Sequence, residues 1–502
     1  MTLPRFCWVL CLLGFGSCTE SPALREVSRA TAEPILLTGV TVVNTHTGDL
    51  APNQSILIKD SRIESITTGP TDPGSPIRTI DATGQFAVPG FMDMHVHVLG
   101  EPDLPQSVAL MLANGVTGFR QMRGSPEILA LKRRDQLPIG NNEPAPVLVP
   151  GDLLTPINTR NAEVTRATIQ AQFDAGADFI KIGLVSAEML DVALATAKEL
   201  GLPAAGHLPA ATAPLPAVQA GMLSIEHLGP GLNVLTSCAR NETQLRARAP
   251  TPPGFLTSPL LSLPYADRLL DLILAQILVN PVMLTSAEEF ARMHDIAEDF
   301  DEATCRQFAQ QLAATHSWQV PTLSRIKKQY YANTPEFTDT PDNRYVRPQQ
   351  LAITTDMVNK FSEAMTQENL AAMHATYAKD LEVVRVLNDA GVNLLAGSDS
   401  GPGNAGFGLH DEFDELSHAG LSALRILQMA TLDAATFLNR TDDFGEVAPG
   451  RIADLVLLDA DPTTDAQHLH RIHAVVRGGF FYSRADLDSL LLGVVSSYGD
   501  ED

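Results

Sequence analysis

The stretch from Ala177 to His207 reads ADFIKIGLVSAEMLDVALATAKELGLPAAGH, and it decides the fold. Ala177 to Ile182 is a short apolar run of strand character. Ala187 to Leu200 has helical composition and is closed by Gly201, and Pro203 to Gly206 is the next short apolar run. Strand, helix and strand in this order make a βα unit, whose strands lie parallel.

The same alternation continues outward. Leu223 to Ile225, Val320 to Leu323 and Val392 to Ala396 read as further strands, the last followed by helices from about Asp411 and Ser422. The expected fold is therefore α/β, a TIM-like (β/α)8 barrel over residues 91–439. Gly229 to Gln319 is long for one connection, rich in proline early and helical later. It is expected to be a helical insertion, at about 229–319, over the barrel mouth. No internal repeat is visible.

Both ends of the chain have another character. Leu36 to Val43, Ser55 to Lys59, Arg62 to Thr67 and Ile77 to Ile80 are short β runs separated by turns, and Ala453 to Leu458 and Ile472 to Val476 resemble them. These suggest one small β-sandwich domain composed of residues 34–90 and 440–485.

Composition bounds the function. A chain of 502 residues, 44% hydrophobic, is long enough for both units. The formal charge of −24 argues against a nucleic-acid partner, which requires clustered cations. The group Lys132, Arg133 and Arg134 fits a solvated helix face. At the N-terminus a basic start, an apolar run from Phe6 to Gly16 and Ser17-Cys18 form a secretion signal over residues 1–18. It resembles a bacterial lipoprotein signal, in which Cys18 is lipidated and tethers an exported protein to a membrane, although Phe15 stands where such signals usually carry Leu. An ordinary cleaved signal, giving a periplasmic protein, is the alternative. Cys7, Cys11 and Cys18 belong to this segment, so Cys238 and Cys305 remain in the folded body as a disulfide or as two buried thiols.

Candidate chemistry begins with His95 and His97. Residues two apart on a strand share a face, so both imidazoles can meet one metal ion. His207 follows Pro203 to Gly206, His227 follows Leu223 to Glu226, and Asp399 follows Leu394 to Ser398. All three fall where barrel strands end and active sites lie. Lys181 is a cation among apolar strand residues, costly to bury unless paired or neutralised. A carbamate on its amine would make it an anionic ligand able to bridge two metals; a simple buried ion pair is the alternative.

Together with Val88 to His97, Gly115 to Arg120, Gly176 to Ile182, Ser224 to His227, Val320 to Leu323, Ala396 to Asp399, Ala430-Thr431 and Gly445 to Asp454, these residues resemble the amidohydrolase superfamily. The resemblance is to its two-metal, carboxylated-lysine members, prolidase-like and ochratoxinase-like. It implies two divalent ions, with zinc expected: one on His95 and His97, the other on His207 and His227. Carboxylated Lys181 would bridge them, and Asp399 would bind the first metal and move protons. The implied activity is hydrolysis of an amide-type C–N bond in a dipeptide, an N-acyl amino acid or a related small molecule. A one-metal deaminase on the same fold and a non-catalytic binding lipoprotein are the alternatives. Gln121 departs from the pattern, since relatives often carry Asp there. Arg120 and His410 are each open between structural and substrate-contacting roles.

Overall fold

A computed structural model describes residues 27–71, 77–250 and 280–499. The signal segment, including Cys18, and residues 251–279 of the expected insertion lie outside the described residues. Among the described residues, no helix is long and apolar enough to cross a membrane.

The terminal strands are β1 (Ile35–Val43), β2 (Leu50–Lys59), β3 (Arg62–Thr68), β4 (Arg78–Asp81) and β5 (Phe86–Pro89). Near the other end they are joined by β14 (Leu455–Leu458), β15 (Ile472–Arg477) and β16 (Phe480–Ser483). They form one sheet, ordered β16-β15-β14-β5-β1-β2-β3, with β4 also paired to β1. The strands of both terminal regions thus make a single branched sheet. Ile63 of β3 and Val476 of β15, from distant parts of this sheet, share one buried cluster with Leu37, Ile56 and Leu457. The sheet must curl to bring them together, and the twist of β-strands favours such coiling. Past β16 the helix Arg484–Ser497, closed at its start by a Ser483–Asp486 capping box, packs on the helix Leu104–Ala113. Neither its existence nor its docking was expected.

Between these ends stand eight short parallel strands: β6 (Phe91–Val96), β7 (Val116–Gln121), β8 (Ala145–Leu148), β9 (Ile180–Ile182), β10 (Ala204–Gly206), β11 (Met222–Glu226), β12 (Trp318–Val320) and β13 (Asn393–Leu394). They make two parallel sheets, β6-β7-β8 and β9 to β13 in sequence order, and not the continuous closed ladder expected. At one margin Asp178 N–H donates to Val149 O and Leu154 N–H to Lys181 O, each at 3.0 Å. At the other, Met94 N–H reaches Ala396 O at 3.0 Å and Asp399 N–H reaches His95 O at 2.8 Å. The ladders break where Pro150 removes a donor after β8, and where the chain leaves β13 for a left-handed turn at Asp399, φ 53°.

Helices are set by local capping. Ser186 accepts from Met189 N–H to begin the helix Ala187–Glu199, and Gly201, at φ 67°, ends it. The β11–β12 connection contains the helices Asn233–Ser237, Glu242–Ala247, Ala287–Asp299 and Glu302–Ala313. The described parts of the expected insertion are therefore helical. Cys238 and Cys305, both fully buried, are joined as a disulfide across it, which decides between the two alternatives.

Candidate metal centre

β6 is buried along its whole length, so each polar side chain on it needs an internal partner. Asp93 accepts from the backbone N–H of His95 at 3.1 Å and of Ser398 at 3.0 Å, tying β6 to the loop that carries Asp399. Burial pushes its carboxyl up to about 6. His95, two residues on, lies entirely inside. Its Nδ1 is 2.7 Å from Glu226 Oε2, which turns Nε2 toward Asp399 Oδ1 at 3.1 Å.

His97 Nε2 is also 3.1 Å from that carboxylate oxygen. His227 follows β11 in a left-handed conformation, φ 57°, with Nδ1 held 2.6 Å from Thr322 Oγ1 and Nε2 3.9 Å from Asp399 Oδ2. His207 follows β10, its ring 5.1 Å from that of His227. One potential ligand atom each from His95, His227 and Asp399 lies within 4.8 Å of the others. Burial pushes the Asp399 carboxyl upward, but His95 and His227 outweigh it and hold it well below the usual range. Burial lowers His207 well below an ordinary imidazole and takes His227 down to about 3, so both are neutral bases.

Lys181 is buried in β9, and its Nζ has no hydrogen-bond partner among the described residues. No hydrogen bond among the described residues pairs it with a carboxylate, although Glu226 and Asp399 act on it electrostatically. Burial lowers its ammonium to about 8 against the opposing pull of Glu226 and Asp399. His95 Nε2 is likewise buried without a hydrogen bond, although Asp399 stands nearby. Imidazoles and carboxylate aimed at one place, with orphaned buried atoms beside them, fit a divalent ion of the zinc type.

The supporting shell holds what the sequence left open. Arg120, fully buried on β7, donates from Nη2 to both oxygens of Glu226 at 2.9 Å and from Nε to Met94 O at 2.6 Å. It is therefore the partner of a carboxylate. Burial opposes ionisation of Glu226, but Arg120 outweighs it and holds the carboxyl well below its usual range. Gln121 accepts from Val98 and Leu99 N–H, each at 3.1 Å, and donates to Arg123 O at 2.7 Å, bracing the loop after β6. His410, inside the helix Phe407–His418, binds Asn114 O at 2.9 Å and packs edge-on against Phe91 and Phe413, a structural placement. Lys132 is not merely solvated, since its Nζ meets Asp178 Oδ1 at 2.5 Å.

Three functional neighbours were missed. Glu226 orients His95, Thr322 orients His227, and Arg325 brings its Nε to 3.4 Å from Asp399 Oδ2. Glu226 carried a readable signal, a carboxylate inside an apolar strand. Arg325 carried none, because nothing in the sequence of the helix Leu323–Tyr330 distinguishes it from the neighbouring cations Lys327 and Lys328.

Residues 279–480 match the Amidohydrolase family model. Among curated proteins, the adenine deaminase of Moorella thermoacetica is 43% identical over 63 residues, 12% of this chain and 10% of that protein. The adenine deaminase of Chelativorans sp. is 26% identical over 210 residues, 38% of this chain and 34% of that one. The matches thus span about a tenth and a third of those relatives' lengths. Among solved structures, bottromycin amidohydrolase superposes with TM-score 0.65 at 21% identity, covering 92% of this chain and 90% of that one. A putative prolidase from Bifidobacterium longum gives 0.55 at 18%, covering 93% and 100%, and A. niger ochratoxinase 0.55 at 16%, covering 90% and 96%. At these identities the likeness concerns fold.

Proposed function

We propose that this chain, whose residues 279–480 match the Amidohydrolase family model, hydrolyses an amide-type C–N bond in a small substrate, a dipeptide or N-acyl amino acid. The observation that carries this is the convergence of His95, His97 and His227 on Asp399, with a buried Lys181 amine that interacts electrostatically with His97, His227 and Asp399. His95, His97, His207, His227, Asp399 and a carbamate on Lys181 would hold two divalent ions, expected to be zinc. Such ions would lower the pKa of a water molecule and polarise the scissile carbonyl.

The protein's own groups then have distinct tasks. Glu226 fixes the tautomer and direction of His95, and Thr322 does the same for His227. Asp399, held ionised, can take a proton from the attacking water and hand it to the leaving nitrogen. Carbamate formation requires the neutral Lys181 amine to attack carbon dioxide with loss of a proton, and burial favours that neutral form. The N-terminal pattern supports export, with Cys18 as a lipid anchor; membrane fractionation of wild type and Cys18→Ser tests this.

A one-metal deaminase is the second reading, favoured by the similarity to adenine deaminases and by the compact His95–His227–Asp399 group. Metal analysis separates the two. Two ions per chain, reduced by Lys181→Ala, support the first; one ion and ammonia release from adenine support the second. A hydrolysis screen of dipeptides and N-acyl amino acids with zinc and bicarbonate tests the substrate. Two ions and full activity in Lys181→Ala would rule out the carbamate.

A further inference from the structure

Asp399 faces His95, His97 and His227 from a left-handed backbone conformation, φ 53°, that is uncommon outside glycine. A residue with a side chain stays there only when its surroundings over-determine it. The turn that carries it, residues 397–400, lies beyond β13, which ends at Leu394. It meets β6 through single main-chain bonds: Asp399 N–H donates to His95 O and His97 N–H to Ser400 O, each at 2.8 Å.

Two other donors of this turn find side chains in place of carbonyls. Ser398 N–H donates to Asp93 Oδ1 at 3.0 Å, and Ser400 N–H donates to Ser398 Oγ at 3.2 Å. Ser398 Oγ in turn donates to Asp93 Oδ2 at 2.5 Å. Asp93, Ser398 and Ser400 are all buried. Because Asp93 Oδ1 also accepts from His95 N–H, one carboxylate grips both the strand that carries His95 and the turn that presents Asp399 to it. Hydrogen bonds to a carboxylate are about twice as strong as neutral ones, so this grip is firmer than a hydroxyl or amide would give. These bonds go to main-chain N–H groups and a hydroxyl, so the effect of Asp93 on the centre passes through the turn.

We infer that Asp93 and Ser398 are positioning residues that hold Asp399 in its left-handed turn and so aim its carboxylate at His95 and His97. This rests on the proposed metal centre, in which Asp399 is a ligand, and adds the pair that sets its direction. No covalent step is involved.

The test follows Ser398→Ala, which removes the hydroxyl but leaves the main-chain bonds of the turn, and Asp93→Asn, which keeps one acceptor oxygen and loses the charge. The control is Val494→Ala, a buried change on the helix Arg484–Ser497 that lowers stability without touching the turn. Amide hydrogen exchange of the metal-free proteins is read at His97, Asp399 and Ser400, and zinc affinity by competition with a chelator. Ser398→Ala should exchange about 5- to 30-fold faster at these amides, as for one lost hydrogen bond, and bind zinc about 10- to 100-fold more weakly. Asp93→Asn should move both readouts the same way, and Val494→Ala neither. Unchanged exchange in Ser398→Ala and Asp93→Asn, faster exchange with unchanged zinc affinity, or an equal change in Val494→Ala would overturn the assignment. Wild type that takes up no zinc would instead overturn the metal centre, and exchange at Asp399 would then decide the positioning role on its own.

Discussion

Glu226→Gln removes one charge from the support of the centre while keeping the side chain's shape. In the native protein, Arg120 reaches both Glu226 oxygens at 2.9 Å, Ser224 Oγ donates to one at 2.6 Å, and His95 Nδ1 meets the other at 2.7 Å. Arg120 and Glu226 are fully buried, so the variant leaves a buried guanidinium without the counter-charge of Glu226. Removing one partner of such a pair costs about 3–5 kcal/mol. The amide also places N–H groups where donors point, so His95 loses its fixed tautomer and metal affinity should fall about 10- to 100-fold. Urea unfolding of the metal-free protein reads the first effect, and zinc competition against a chelator reads the second. Arg120→Met combined with Glu226→Leu removes both charges and should cost less than either single change. A loss below about 0.5 kcal/mol in Glu226→Gln, the scale of an ordinary surface substitution, together with unchanged zinc affinity would refute the reasoning.

Thr322→Val removes the 2.6 Å contact to His227 Nδ1 and should weaken zinc binding about tenfold with little change in global unfolding; equal zinc affinity would deny Thr322 an orienting role. The Cys238–Cys305 bridge spans 67 residues, so reducing it should lower stability by about 2–5 kcal/mol, and coincident urea curves with and without reductant would contradict this. Burial raises the Asp380 carboxyl to about 8, so the folded state holds a proton that the unfolded chain releases near 4. This group's contribution to stability therefore falls as pH rises from about 4 to 8 and is constant above that window. The stability of Asp380→Asn relative to wild type should rise by up to about 5 kcal/mol across it; a flat difference between pH 5 and pH 8 would exclude the mechanism.

Elements with local start and stop signals were legible. The helix read from Ala187 to Leu200 forms as Ala187–Glu199, because Ser186 and Gly201 supply its cap and its end. Where a signal was local but misjudged, the boundary moved. The expected strand from Val320 to Leu323 is Trp318–Val320, since Pro321 cannot donate to the ladder and Leu323 already begins a helix. What stayed illegible was pairing at a distance. β runs at both ends suggested one shared sheet, but the β14–β5 ladder and the curl that buries Ile63 with Val476 depend on register, which alternation alone does not set.

The centre divides in the same way. His95 and His97 were legible because a two-residue spacing fixes a shared face, and the residues after β10, β11 and β13 because strand ends gather in one place. The support of His95 comes from Glu226, 131 positions away, which no spacing rule links to it. The physical clue lay within the strands. Parallel strands covered on both faces are apolar, so Ser224 and Glu226, two apart on β11, must share one buried face. A carboxylate there is affordable only with a cation also pointing inward, and Arg120 on β7 meets that need. The order of inference can therefore be reversed: a buried Arg–Glu pair contributed by two non-adjacent parallel strands marks an interior that has to hold charge. In this chain the pair serves the imidazole that leans on Glu226, and a metal ligand is the role for which a histidine most needs such a partner.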